Sequence, residues 1–344
     1  MPCRRSGGIK KKLNAGNSQR LVNVFMKNML KQYALKVVRG LPARFSLSVS
    51  WNSIEGYMLE YAKEIIRALE NDDEVTTRQD VITGLRRLSL DEFGLVLLSM
   101  PDPEYPKLSR LLPAMASEEV QRSWTGNHGL ALLKETTAFV RALSYNYARL
   151  TGRSLDDATV LDFGCGYGRI AQLLHYFTVE EKIFGVDPRE ESIELCRQSR
   201  LGTNFMVSDY LPVSLPVEVV KFDLIYAFSV FTHLSRRAMT TSLHTLRQHI
   251  ADDGLLAMTI RPVEYWAQAP HASQDQKDVL VGRHRQEGFA FNPHNWAPID
   301  GDVTYGDSSM TLDWMTATFP EWTIKATDRC LNDPLQRYVF LVPR

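Results

Sequence analysis

Three glycines at alternate positions, Gly164, Gly166 and Gly168, follow directly on an apolar β-type run from Thr159 to Phe163 that carries one acid, Asp162. A helical apolar pattern resumes at Ile170. Glycines this dense after a strand let the backbone turn sharply and bring a ligand close without a Cβ in the way. A dinucleotide fold would place its third glycine where Arg169 stands, and a P-loop would continue with Lys-Ser or Lys-Thr, which is absent. Nineteen residues after Gly168, a second short apolar run ends in Asp187, with room for one helix between. The unit therefore predicts a βαβ crossover with an acid at the second strand's tip. A carboxylate there can accept two hydrogen bonds at once, as ribose hydroxyls require. It can equally cap the helix that starts near Pro188.

The pattern Asp-x-Gly-x-Gly-x-Gly at 162–168 resembles the class I S-adenosylmethionine (SAM) dependent methyltransferases. The resemblance implies that the glycine turn lies against the methionine part of SAM and that Asp162 helps hold its amino group. It implies a ribose role for Asp187 and an adenine role for Asp209, which follows a third strand at 204–207. Phe228 and Ser229, at the end of a fourth strand, complete the expected cofactor set. A fifth strand is expected at 255–260, after a turn at Asp252-Asp253-Gly254. Strands alternating with helices predict an α/β fold: a Rossmann-like class I methyltransferase sheet, parallel with a C-terminal antiparallel hairpin at about 322–327 and 338–342. An α-helical N-terminal region precedes it. The expected divisions are a disordered basic tail at 1–17, a helical region at 18–114 and the methyltransferase domain at 115–344. Within the second, Ser89 and Glu92 have capping-box spacing.

An alcohol acceptor becomes a good nucleophile only on losing its proton. His233, five residues beyond the fourth strand, is the expected general base, and the competing reading is a helix-start histidine bonded to backbone. Residues 261–307 show little periodicity but are rich in aromatics and histidine, which predicts an acceptor-binding lid with Tyr265, Trp296 and Tyr305 as contacts. No metal is expected. His244 and His249 stand five apart on a helix and so face different ways.

The net charge of zero hides an asymmetry. The first 54 residues hold eleven Lys/Arg and no acid, and the remaining 290 carry the other 29 basic and all 40 acidic side chains. An acidic catalytic part argues against a nucleic-acid partner. Residues 21–38 put an apolar stripe beside lysines. Such a helix can lie on an anionic membrane, dock on its own domain or serve targeting. Four scattered cysteines and the lack of a spanning apolar run suggest a cytoplasmic protein, with peripheral membrane contact left open. The fourth strand lacks the motif of adenine or glutamine amino methyltransferases, no Pro-Cys nucleophile appears, and the paired acids of metal-dependent catechol enzymes are missing. The residues Ser-Val-Phe-Thr-His-Leu-Ser at 229–235, with Thr-Tyr-Gly-Asp-Ser at 304–308, resemble methyltransferases of bacterial surface-glycan biosynthesis. That implies O-methylation of a sugar, a glycan or another small hydroxylated acceptor. Methylation of a protein or a lipid or quinone acceptor, or SAM binding without turnover, are the alternatives.

Overall fold

The computed structural model describes residue 56 and residues 58–218, 221–270 and 272–344. The expected tail and the helix at 21–38 lie outside these residues. Strands β1 (Val160–Phe163), β2 (Ile183–Asp187), β3 (Phe205–Val207), β4 (Phe222–Ala227) and β5 (Ile250–Ile260) are parallel. They continue into an antiparallel hairpin of β8 (Trp322–Cys330) and β9 (Asp333–Pro343). The seven-stranded order is β3-β2-β1-β4-β5-β9-β8. Order reverses between β1 and β4, and a crevice opens at the carboxyl ends of strands at such a switch point. This is the Rossmann-like sheet and terminal hairpin expected from the sequence.

Side-chain alternation explains the two apolar layers. Val160, Leu224, Tyr226, Leu255 and Ala257 face one core, while Leu161, Ile225, Ala227, Leu256 and Met258 face the other. The second core is closed by helix α9 (Arg236–His249) through Met239, Leu243 and Leu246. The first is closed by α6 (Gly129–Thr151), α7 (Arg169–Leu174) and α8 (Glu190–Gln198). It also takes in α1 (Glu60–Asn71), α2 (Arg78–Leu85), α3 (Leu90–Ser99) and α4 (Pro106–Leu111). Ser89 and Glu92 form the expected capping box at the start of α3. Helix α5 (Glu118–Thr125) ends at Gly126, and α6 at Gly152, both left-handed caps that only glycine adopts without strain.

Two local expectations need correction. Residues 252–254 form no turn before β5. Pairing with β4 jumps from Phe222–Ile250 to Leu224–Leu255, so these residues bulge from one continuous strand. The segment 261–307 is not irregular. It contains α10 (Tyr265–Gln268), α11 (Gln274–Glu287) and β6 (Phe289–Pro293), which pairs with β7 (Gly306–Met310). Helix α11 buries only Leu280 and His284, so apolar periodicity was nearly absent. Its legible signal was the capping box of Ser273 and Gln276.

Candidate functional site

The turn after β1 is held by amides of Gly164 and Cys165 donating to the Val186 carbonyl at 2.8 and 3.1 Å. Its glycines serve different ends. At Gly164 (φ +77°) and Gly168 (φ +78°) a Cβ would lie 2.4 Å from Val230 and 2.0 Å from Leu201. At Gly166 (φ +54°) a Cβ would meet the Trp124 ring at 3.6 Å, an ordinary van der Waals contact, so no clash requires glycine there. Beyond the turn lies a cleft of about 660 Å³, lined by every expected cofactor residue: Asp162, Gly164, Gly166, Asp187, Asp209, Phe228 and Ser229, with the exception of Gly168, which packs behind the wall.

Asp187, at the tip of β2, accepts hydrogen bonds from the amides of Gly166 (3.0 Å) and Arg189 (2.9 Å) and from the Ser192 hydroxyl (2.8 Å). These fix its carboxylate toward the cleft. Asp162 is 2% exposed, and its Oδ2 has no hydrogen-bond partner. Burial pushes its pKa up to about 7, against the opposing pull first of the neighbouring Tyr226 hydroxyl and then of the Arg169 guanidinium. A buried, unpartnered carboxylate oxygen on a cleft wall is an acceptor waiting for a donor. Arg169 donates to Thr136 Oγ1 at 2.6 Å and lies 4.8 Å over the Phe228 ring. Ser229 takes a left-handed φ of +60°, held by its amide on Thr259 Oγ1 (2.7 Å) and by Gln336 on its hydroxyl (3.0 Å). Such strain in a non-glycine residue persists where surrounding bonds enforce it.

His233 reaches the cleft but does not offer a free lone pair. Its Nδ1 lies 2.8 Å from the Gly306 carbonyl, which can only accept, so Nδ1 carries the proton. Nε2 then accepts from Arg261 Nη2 at 3.1 Å. Burial, reinforced by Arg261, lowers the His233 pKa to about 4. Both ring nitrogens are thus committed within the protein, the arrangement of the backbone-bonded histidine that stood as the competing reading of His233. The partners form a cluster that sequence reasoning missed. Arg261 pairs with Asp307 (2.5 Å) and the Thr232 carbonyl (3.0 Å), and His294 Nε2 meets Asp307 Oδ2 at 3.0 Å. Asp307 sits inside the 304–308 motif already singled out, whereas nothing around Arg261 marked it.

Of the expected acceptor contacts, Trp296 and Tyr305 line the cleft. Tyr265 does not. Helix α10 turns its ring onto Arg261, whose Cζ lies 3.9 Å from the ring centroid. Trp124 on α5 was also missed. It lies beside the glycine turn, with Arg189 stacked 4.3 Å over its ring. Among the described residues, no group of three or more His, Cys, Asp or Glu is arranged to hold a metal ion.

Residues 160–254 match a protein family described as methyltransferase domain. That stretch is similar to a methyltransferase domain. It spans β1 to the bulge of β5 and so contains the glycine turn, Asp187, Asp209 and His233. The chain is 33% identical over 137 residues to trans-aconitate 2-methyltransferase of Azoarcus sp. (strain BH72), covering 40% of this chain and 50% of that protein. It thus spans half the length of this curated relative. Among solved structures, the PH0226 protein of Pyrococcus horikoshii OT3 has a TM-score of 0.45 at 16% identity, covering 67% of this chain and all of that one. Magnesium protoporphyrin IX methyltransferase of Synechocystis PCC 6803, with bound SAM, has a TM-score of 0.42 at 13% identity, covering 66% of this chain and 90% of that one.

Proposed function

We propose that the protein binds SAM in this cleft and transfers its methyl group to an oxygen nucleophile. The observation that carries the reading is the unpartnered, buried Oδ2 of Asp162 beside a glycine turn whose next strand ends in a fully oriented Asp187. Asp162 would accept from the amino group of SAM and Asp187 from the ribose hydroxyls. Asp209 would meet the adenine amino group, with Phe228 and Ser229 at the methyl end. When bound, SAM supplies a methyl group already activated by its sulfonium. The protein's part is to hold the acceptor oxygen behind that carbon, at about 3–3.5 Å, and to exclude water.

The acceptor class follows from what the wall offers. The motifs at 229–235 and 304–308 support a sugar, glycan or other small hydroxylated acceptor, and the acids lining the cleft disfavour nucleic acid. One observation favours a second reading. With the His233 lone pair taken by Arg261, a carboxylate acceptor, which needs no proton removed, is better served than an alcohol. The name of the Azoarcus relative specifies a carboxylate-bearing acceptor of that protein. Labelled-methyl transfer to parallel panels of sugars and carboxylic acids separates the two: base-stable ether products support the first, base-labile esters the second. No transfer to any oxygen acceptor, with transfer to amines, contradicts both. The basic segment before residue 55 belongs to the proposal as a peripheral contact with anionic membrane. Flotation with anionic liposomes, with and without residues 1–50, tests it, and equal flotation discards it. Among the described residues no helix is long and apolar enough to cross a membrane.

A further inference from the structure

We infer that the β6–β7 arm roofs the donor rather than the acceptor, with Trp296 and Tyr305 closing over the nucleoside half of SAM. This rests on the reading of the cleft as a SAM site. Four rings, Tyr210, Trp296, Tyr305 and His233, all line the cleft and run in sequence across it. Their successive centroids lie 6.3, 5.3 and 5.3 Å apart. Tyr210 stands just after β3 and His233 just after β4, and between those strands in the sheet lie β2 and β1. Adjacent strands are about 4.8 Å apart, so three steps span roughly 14 Å, the distance a file of such rings can bridge. The file therefore crosses above Asp187 and the glycine turn, where the ribose and its base would lie. Burial and then Asp307 raise the Tyr305 pKa against Arg261, and the smaller effects of Arg189 and Asp187 on it accord with a ring placed near the β2 tip.

The arm is anchored firmly enough to act as a preformed wall. Main-chain bonds join Ser235 N to Thr304 O (2.8 Å), Gly306 N to His233 O (2.9 Å) and Ser308 N to Thr232 O (2.9 Å). Asp307 ties the two limbs together by taking His294 from one side and Arg261 from the other. Trp296, by contrast, is 41% exposed on this wall, so much of a large apolar side chain is left in water. A flat purine is the partner that would cover it, since every base has a π-face on which an aromatic side chain can stack.

The test is titration of S-adenosylhomocysteine (SAH) and of methylthioadenosine, which lacks the amino-acid end, into full-length wild type and Trp296→Ala. Trp296→Phe and a thermal melt accompany them. The expected result is a loss of about tenfold or more for both ligands in Trp296→Ala, at the low end of what removing one base stack costs. Trp296→Phe should recover most of it, and the melting temperature should be unchanged. Unaltered SAH affinity in Trp296→Ala overturns the proposal, as does a loss for SAH without one for methylthioadenosine. Failure of the wild type to bind SAH overturns instead the SAM site on which it stands.

Discussion

Asp162 carries the most informative charge in the site. Its pKa, raised from 3.8 to about 7 by burial, means that the folded apo protein holds a proton that the unfolded chain has released at pH 5 to 7. Stability therefore falls as pH rises from about 4 to about 7, by a total on the order of 4 kcal/mol at about 1.4 kcal/mol per unit. Asp162→Asn should raise the apo melting temperature at pH 7.5, have little effect on it at pH 4 and weaken SAM binding. A lowered melting temperature at pH 7.5 would contradict the reading of a buried, unpaired acid. The glycines divide in the same way. Gly168→Ala forces a Cβ to 2.0 Å from Leu201 at a left-handed φ and should cost about 1–3 kcal/mol or more in urea denaturation. Gly166→Ala meets no such clash, but its left-handed φ should still cost about 1–2 kcal/mol, and it should lose donor affinity as well. Asp162 and the glycines were legible because their spacing is the turn itself. The commitment of His233 was not legible, because Arg261 and Gly306 lie 28 and 73 residues away in the chain.

The arm of β6 and β7 is an element held by one buried acid. Burial alone would raise the Asp307 pKa, but hydrogen bonds from His294 and Arg261 outweigh it and hold the carboxyl below its usual range. The stability it contributes is present above about pH 4 and is lost as pH falls through the lowered value. Asp307→Asn leaves Arg261 buried without its charge partner and should cost about 3–5 kcal/mol. Hydrogen exchange should quicken across residues 289–310 first, and uniform exchange across the whole chain would show that the arm is not a separate unit of stability. The arm was hard to see in the sequence for a physical reason. Helix α11 is polar nearly all round, and β7, Gly-Asp-Ser-Ser-Met, buries polar side chains that mimic a loop composition. Burial there is offset by hydrogen bonds such as Trp266 Nε1 to Ser309 Oγ at 2.6 Å, which no hydropathy pattern reveals.

At the scale of the molecule, the described residues fall in one compact unit. Leu85, Phe93, Leu97 and Leu108 from the early helices share an apolar core with Val160 and Leu224 of the sheet. Arg78 reaches from α2 to Glu180, and Arg200 donates to the carbonyls of Ser109, Arg110 and Leu112. A chain starting at residue 115 should consequently lose cooperative thermal unfolding, and Leu97→Ala should cost about 2–5 kcal/mol. A sharp, wild-type-like melt of the shortened chain would contradict this. The parallel strands could be read from the sequence, because β1, β2 and β4 are short, apolar and each followed by a helix, whereas their order across the sheet was not read from it. The early helices could be recognised as helices, but their docking on the sheet is a matter of which apolar faces meet. Calorimetric titration of SAM and SAH into the full-length protein at pH 7.5 tests the donor site itself. Saturable binding of both is expected, weakened about tenfold or more by Asp187→Ala, which removes the ribose acceptor. Absence of binding by either ligand at about millimolar concentration, the weak limit of a specific site, would contradict it.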